Sequence, residues 1–172
     1  MDMLIPTLET ERLILEPPSD FGWAAYKRFY TDAEASKAYG GPLSERQAWA
    51  RLASDLGTWY LLGFGVWLIR RKREQDCVGT CGYWQGKGWP RELTWWLSPE
   101  ARGSGLAKEA SIAAISHGYE SFGWDTVQTY MKDENEAARS LVLSLGGSKV
   151  DRLKFPDEME RDVFLLPRPV KG

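Results

Sequence analysis

Apolar residues recur along this chain in two rhythms, and the switches between them predict its elements. Residues 11–16 (ERLILE) read as a short strand, ended by Pro17-Pro18, which offers no backbone N–H for pairing. Ser19 and Asp20 are good helix caps, and Trp23, Tyr26 and Phe29 follow at helical spacing. Ser44 and Gln47 have the spacing of a capping box, ahead of a second helix whose apolar face is Ala48, Leu52 and Leu56. Residues 64–69 and 77–84 then read as two strands of a hairpin. The charged run Arg70-Arg71-Lys72-Arg73-Glu74 between them reads as a solvated turn. Gly86-Lys87-Gly88-Trp89-Pro90 breaks the pattern before a fourth strand at 92–97.

The second half changes rhythm. Ser98-Pro99 ends the fourth strand, and Arg102-Gly103-Ser104-Gly105 opens a long helix reaching about residue 122. Residues 126–131 give a fifth strand. A helix over 135–145 follows, stopped by Gly146-Gly147, and residues 161–166 form a last strand. The order β-α-α-β-β-β-α-β-α-β implies an α+β (mixed α/β) fold with helices on both faces of a sheet.

A chain of 172 residues suits one domain spanning 1–172, able to bury roughly 70% of its unfolded surface. The net charge of −2 recruits neither nucleic acid nor an anionic membrane. No apolar run approaches the ~18–20 residues that span a bilayer. The start, MDMLIPTLETERL, lacks the basic and apolar regions of a signal peptide, so a cytoplasmic location is expected. Cys77 and Cys81 have neither CxxC spacing nor a nearby histidine, and read as small buried apolar residues rather than metal ligands. No metal is expected.

The segment WWLSPEARGSGLAKEA, beginning at Trp95, carries the most chemistry. A strand feeds a glycine turn that opens a helix, and the first amides of a helix lack internal partners and suit an anion. Gly103 and Gly105 let backbone approach that anion closely, and Arg102 adds a positive charge. A P-loop is excluded because no Lys-Ser/Thr follows the glycines. A dinucleotide fingerprint is excluded because Lys108 occupies its third small position.

Thr10-Glu11-Arg12-Leu13, the block from Trp95 to Ala110, and Asn135 with Leu145-Gly146 together resemble the GNAT N-acetyltransferases. The branch most similar is that of the ribosomal-protein alanine N-acetyltransferases and their small-molecule relatives. The resemblance implies a mostly antiparallel twisted sheet whose fourth and fifth strands splay, with acetyl-CoA as co-substrate. It implies that Arg102 and the amides of Gly103, Ser104, Gly105, Leu106 and Ala107 hold the CoA pyrophosphate. Trp96 and Leu97 would pair with the pantetheine arm, and Asn135 would hydrogen-bond it beside the thioester. The acceptor would be a small-molecule amine or a protein N-terminus, and the protein a monomer or homodimer.

Aminolysis of a thioester needs a neutral amine, a stabilised oxyanion and a route for protons. Glu92, at the start of the fourth strand where several family members place a base, is the candidate base. A backbone N–H near Leu97 is the candidate oxyanion donor. Tyr130 and Ser140 are the hydroxyls nearest in sequence for the departing thiolate. His117 falls on an apolar stripe with Ala110 and Ala113 and reads as structural. Trp23, Trp49, Trp59, Trp84 and Trp89, among nine tryptophans, are candidates to wall an acceptor pocket suited to an apolar or aromatic amine. Ala138, where the family branch commonly has serine, keeps open an acyl-CoA-binding sensor with weakened catalysis. An interaction domain whose glycine turn holds nothing is the third reading.

Overall fold

The computed structural model describes residues 4–170. Leu13 and Leu15 turn inward on β2 (Leu13–Glu16), which follows a two-residue β1 (Leu8–Glu9). β2 pairs antiparallel with β3 (Val66–Arg71), β3 with β4 (Cys77–Trp84), and β4 with β5 (Glu92–Leu97). These strands form one sheet in the order β1-β2-β3-β4-β5. β6 (Val127–Met131), β7 (Ser148–Lys154) and β8 (Glu160–Leu166) form a second sheet in the order β6-β8-β7.

Both faces of the larger sheet are covered, which is why Val66, Trp67, Leu68 and Ile69 are buried in succession. Leu68 and Trp96 point to one face. There they pack with Tyr26, Phe29 and Tyr30 of α1 (Trp23–Thr31) and Leu52 of α3 (Glu45–Leu62). Phe29 stacks on Trp96 with centroids 4.1 Å apart and planes 12° from parallel, a pair worth roughly 0.5–1.5 kcal/mol beyond burial. Trp67, Ile69, Leu93 and Leu97 point to the other face, against Ala110, Ala114 and Ile115 of α4 (Leu106–Glu120). A short α2 (Ala33–Ser36) and α5 (Glu136–Ser144) complete the helices.

The predicted capping box forms as read: Ser44 Oγ accepts from the Gln47 amide at 3.1 Å and Gln47 Oε1 from the Ser44 amide at 2.9 Å. The strand predicted over 92–97 has the observed bounds of β5. Three elements escape the pattern, the two-residue β1 among them. α2 is a single turn capped by Asp32, too short to show a period. Every residue of β7 is exposed, so it has no apolar alternation to read. The charged run is not wholly a solvated turn: Arg70 and Arg71 lie on β3 and are held by ion pairs. Arg70 Nε lies 2.5 Å from Glu16 Oε1, and Arg71 Nη2 lies 2.6 Å from Asp76 Oδ2.

Candidate functional site

β5 is the edge of one sheet and β6 the edge of the other, and the two strands share no backbone ladder. Side chains pin one end of the gap. Thr129 Oγ1 donates to the Leu93 carbonyl at 2.8 Å, and Gln128 Nε2 donates to the Arg91 carbonyl at 3.2 Å. Further along β5, the Ser98 amide turns toward β4 and donates to the Val78 carbonyl at 2.8 Å. Backbone groups alternate sides along a strand, so those of Leu93, Trp95 and Leu97 face the gap. The Leu97 carbonyl there accepts from Arg102 Nε at 3.2 Å, which folds the Arg102 side chain back onto the strand end.

The glycine turn has the conformation its residues permit. Gly103 and Gly105 have φ of +90° and +82°, a region costly for residues with a Cβ. Residues 102–105 are exposed, Leu106 is buried in the core, and no side chain caps α4. Its first amides are therefore open to a ligand.

What fixes this turn lies at the other end of the sequence. Arg12 Nη1 donates to the Ser104 carbonyl at 2.9 Å, and Arg12 Nε lies 2.7 Å from Glu109 Oε1 in the first turn of α4. Glu109 Oε2 also accepts from Thr10 Oγ1 at 2.6 Å and from the Arg12 amide at 2.9 Å. Burial would raise the Glu109 pKa, but these bonds outweigh it and hold it below the ordinary glutamate value. The Thr-Glu-Arg-Leu box is thus a brace across the turn. In a planar trans peptide the C=O and N–H point opposite ways, so gripping the Ser104 carbonyl directs the Gly105 N–H away from Arg12.

A cavity of about 740 Å³ opens between the two sheets and the α1–α3 layer. Glu92 lines it at the start of β5 and, among the described residues, its side chain makes no hydrogen bond or ion pair. Burial of its carboxyl raises its pKa well above the ordinary value, against a smaller opposing pull from Arg161. Arg161 is itself held by Asp157, at 2.9 and 2.6 Å. Asn135 also lines the cavity and caps α5, its Oδ1 accepting from the Ala138 amide at 3.2 Å. Trp96 and Ala138 lie on the same walls.

Other candidates are placed differently. Tyr130 lines the cavity, but its hydroxyl donates to the Pro90 carbonyl at 2.8 Å, and burial raises its pKa. Ser140 is exposed on α5 and does not line the cavity. Trp84 and Trp89 wall the cavity. Trp23 and Trp49 pack edge-to-face on each other instead, and Trp59 is buried with its Nε1 bonded to the Val66 carbonyl. His117 sits edge-on to Trp67 and Phe122, its pKa lowered by burial. Cys81 is buried and Cys77 half-buried; burial pushes their thiols up to about 12 and about 11, leaving both inert.

Asp55 is a cavity residue that the periodicity of α3 passes over. Ala48, Leu52, Asp55 and Trp59 form one helical stripe, and an acid in that stripe is the available signal. Asp55 Oδ2 accepts from Tyr26 Oη at 2.6 Å, and burial pushes its pKa up to about 6 despite that bond and Arg51.

Known proteins share this fold. A profile of the acetyltransferase (GNAT) domain matches residues 12–148. An uncharacterized N-acetyltransferase of Bacillus subtilis, YoaA, is 27% identical over 152 residues, 85% of each chain. The crystal structure of an acetyltransferase from Agrobacterium tumefaciens superposes with a TM-score of 0.85 at 28% identity, covering 97% of both chains. The RimL ribosomal L7/L12 alpha-N-protein acetyltransferase in complex with coenzyme A shares the fold, with a TM-score of 0.74 at 10% identity over 95% of this chain and 99% of that one. The profile match over most of the length, with a solved acetyltransferase that superposes along nearly the whole chain, shows that the chain belongs to the GNAT family of acetyl-CoA-dependent acetyltransferases.

Proposed function

We propose that the protein transfers an acetyl group from acetyl-CoA to a primary amine, of a small molecule or a protein N-terminus, with both substrates bound together. The observation that carries this reading is Glu92: a carboxyl group with no hydrogen-bond or ion-pair partner among the described residues, on the wall of the cavity beside the gap between β5 and β6. The open amides of 103–107, oriented by Arg12, suit the CoA pyrophosphate, and the exposed edge of β5 suits the pantetheine amides. Asn135 spends Oδ1 on its cap and keeps Nδ2 as a donor toward the pantetheine.

Acetyl-CoA supplies a thioester whose C–S bond breaks as the amine's N–C bond forms, the electron pair leaving on sulfur. Glu92 takes the proton from the attacking nitrogen, directly or through one water, and its raised pKa brings its basicity closer to the task. An N–H on the gap-facing edge of β5, near Leu97, stabilises the oxyanion. Tyr130 has its proton committed to Pro90 and Ser140 lies outside the cavity. The thiolate, with a pKa of about 8.5 like that of cysteine, is a good enough leaving group to depart without help from either hydroxyl.

Glu92→Gln keeps the shape and removes the base. It should lower kcat about 10²–10⁴-fold and leave acetyl-CoA affinity by calorimetry unchanged. The loss should shrink as pH rises toward the amine's own pKa. A wild-type rate at neutral pH would overturn the assignment of the base.

A further inference from the structure

Besides Glu92 and the exposed Glu134, the cavity is lined by a carboxylate that acetyl transfer does not use. Asp55 faces it from α3, at the helical-layer side, whereas Glu92 faces it from β5. One Asp55 oxygen accepts a hydrogen bond from the Tyr26 hydroxyl, and the side chain forms no ion pair among the described residues. Arg51, one turn earlier, stays beyond ion-pair distance. Its guanidinium lies over the Tyr30 ring, 5.2 Å from the centroid, with Nη1 3.5 Å from the Tyr30 hydroxyl. Of the other cations that line the cavity, Lys37 is paired with Glu34 and Arg161 with Asp157, and Lys132 follows β6 rather than lying on α3.

Asp55 acts electrostatically on Tyr30, Tyr30 neighbours Tyr39, and Tyr39 feels Glu92. Asp55 and Glu92 face the cavity from different layers, α3 and β5, and Tyr30, Tyr39, Trp84, Trp89 and Trp95 line it with them. A buried carboxylate without a cationic partner is costly, and aromatic faces favour cations over anions. Together these features specify a ligand with positive charge at the Asp55 end.

We infer that the acceptor carries two basic nitrogens, one acetylated beside Glu92 and the other held as an ammonium by Asp55. This deepens the proposed amine acetylation and rests on it. The second ammonium keeps its proton throughout: it anchors the acceptor and sets which nitrogen reaches Glu92. The distance between the two acids then selects among diamines by length.

The test measures kcat/KM for straight-chain diamines of three to seven methylenes against monoamines of equal carbon number, in wild type and Asp55→Asn. Wild type should prefer diamines at least tenfold, with a maximum at one length. Asp55→Asn should bring the ratio close to one, mainly by raising KM for the diamines. Should that variant not fold, the wild-type length series decides alone. Equal kcat/KM for the two series in wild type, or a diamine preference that survives Asp55→Asn, would overturn the role of Asp55 while leaving amine acetylation intact. Failure of wild type to acetylate any amine, with acetyl-CoA still bound, would overturn both readings.

Discussion

At the scale of single residues, function is written where a side chain sits against its own preference. Asp55 is half-buried on the apolar stripe of α3, and desolvation pushes its carboxyl up to about 6 from the ordinary 3.8. Below pH 3.8 it is protonated folded or unfolded and costs nothing. Between 3.8 and about 6 the unfolded chain ionises while the folded one holds its proton, so stability is lost as pH rises through this window. Above 6 the loss is complete, at roughly 2–3 kcal/mol. Asp55→Asn keeps an acceptor for Tyr26 and never ionises. Its urea midpoint should match wild type near pH 4, rise above it up to pH 6, and keep a constant lead thereafter. A difference independent of pH would mean that Asp55 is solvated in the folded protein. Glu92 and Asn135 could be picked out in the sequence because a strand end and a family motif mark them, whereas Asp55 belongs to no motif. Tyr130 and Ser140 show the limit of proximity in sequence. One gives its proton to a backbone carbonyl, the other faces solvent, and side-chain direction alone decides this.

Elements were legible where their period was long or their caps explicit, as in α3, α4 and β5, and illegible where neither held, as in α2 and β7. The linkage between elements was harder to read. The Thr10–Leu13 box marks the family in sequence, but its partner Glu109 is about a hundred residues away, and nothing local joins them. Physically the partnership does two things: it holds the Ser104 carbonyl, and it neutralises a carboxylate that would otherwise sit in the first turn of α4 beside a bound pyrophosphate. The two effects can be separated. Arg12→Gln loses both and should weaken acetyl-CoA binding about tenfold or more, less at high salt. The double variant Arg12→Gln with Glu109→Gln restores neutrality but not the grip, so it should recover part of that loss. Equal affinities for the single and double variants, measured by calorimetry, would show that orientation of the turn is the whole effect.

At the scale of the molecule, the decisive feature is a sheet that fails to close. The order of elements pointed to helices on both faces, and the molecule has them, but periodicity cannot say that β5 and β6 part company. Their separation comes from long-range geometry and was legible only through the family likeness. The gap's width is set at one end by few contacts, chiefly the bond from Thr129 to the buried Leu93 carbonyl. Thr129→Val keeps the shape but strands that carbonyl, and should cost about 1–3 kcal/mol in a urea melt. If the bond only holds the fold together, saturating kinetics on the folded fraction should be normal. If it also sets the angle at which the strands diverge, KM for acetyl-CoA should rise several-fold while kcat changes less, because the edge of β5 would no longer meet the pantetheine in register. Thr129→Ser restores the hydroxyl without the methyl and should recover the wild-type KM even where it recovers only part of the stability. A KM that follows stability in both variants would confine Thr129 to the fold; a KM rescued by serine ahead of stability would make the gap itself, and the bond that sets it, part of the acetyl-CoA site.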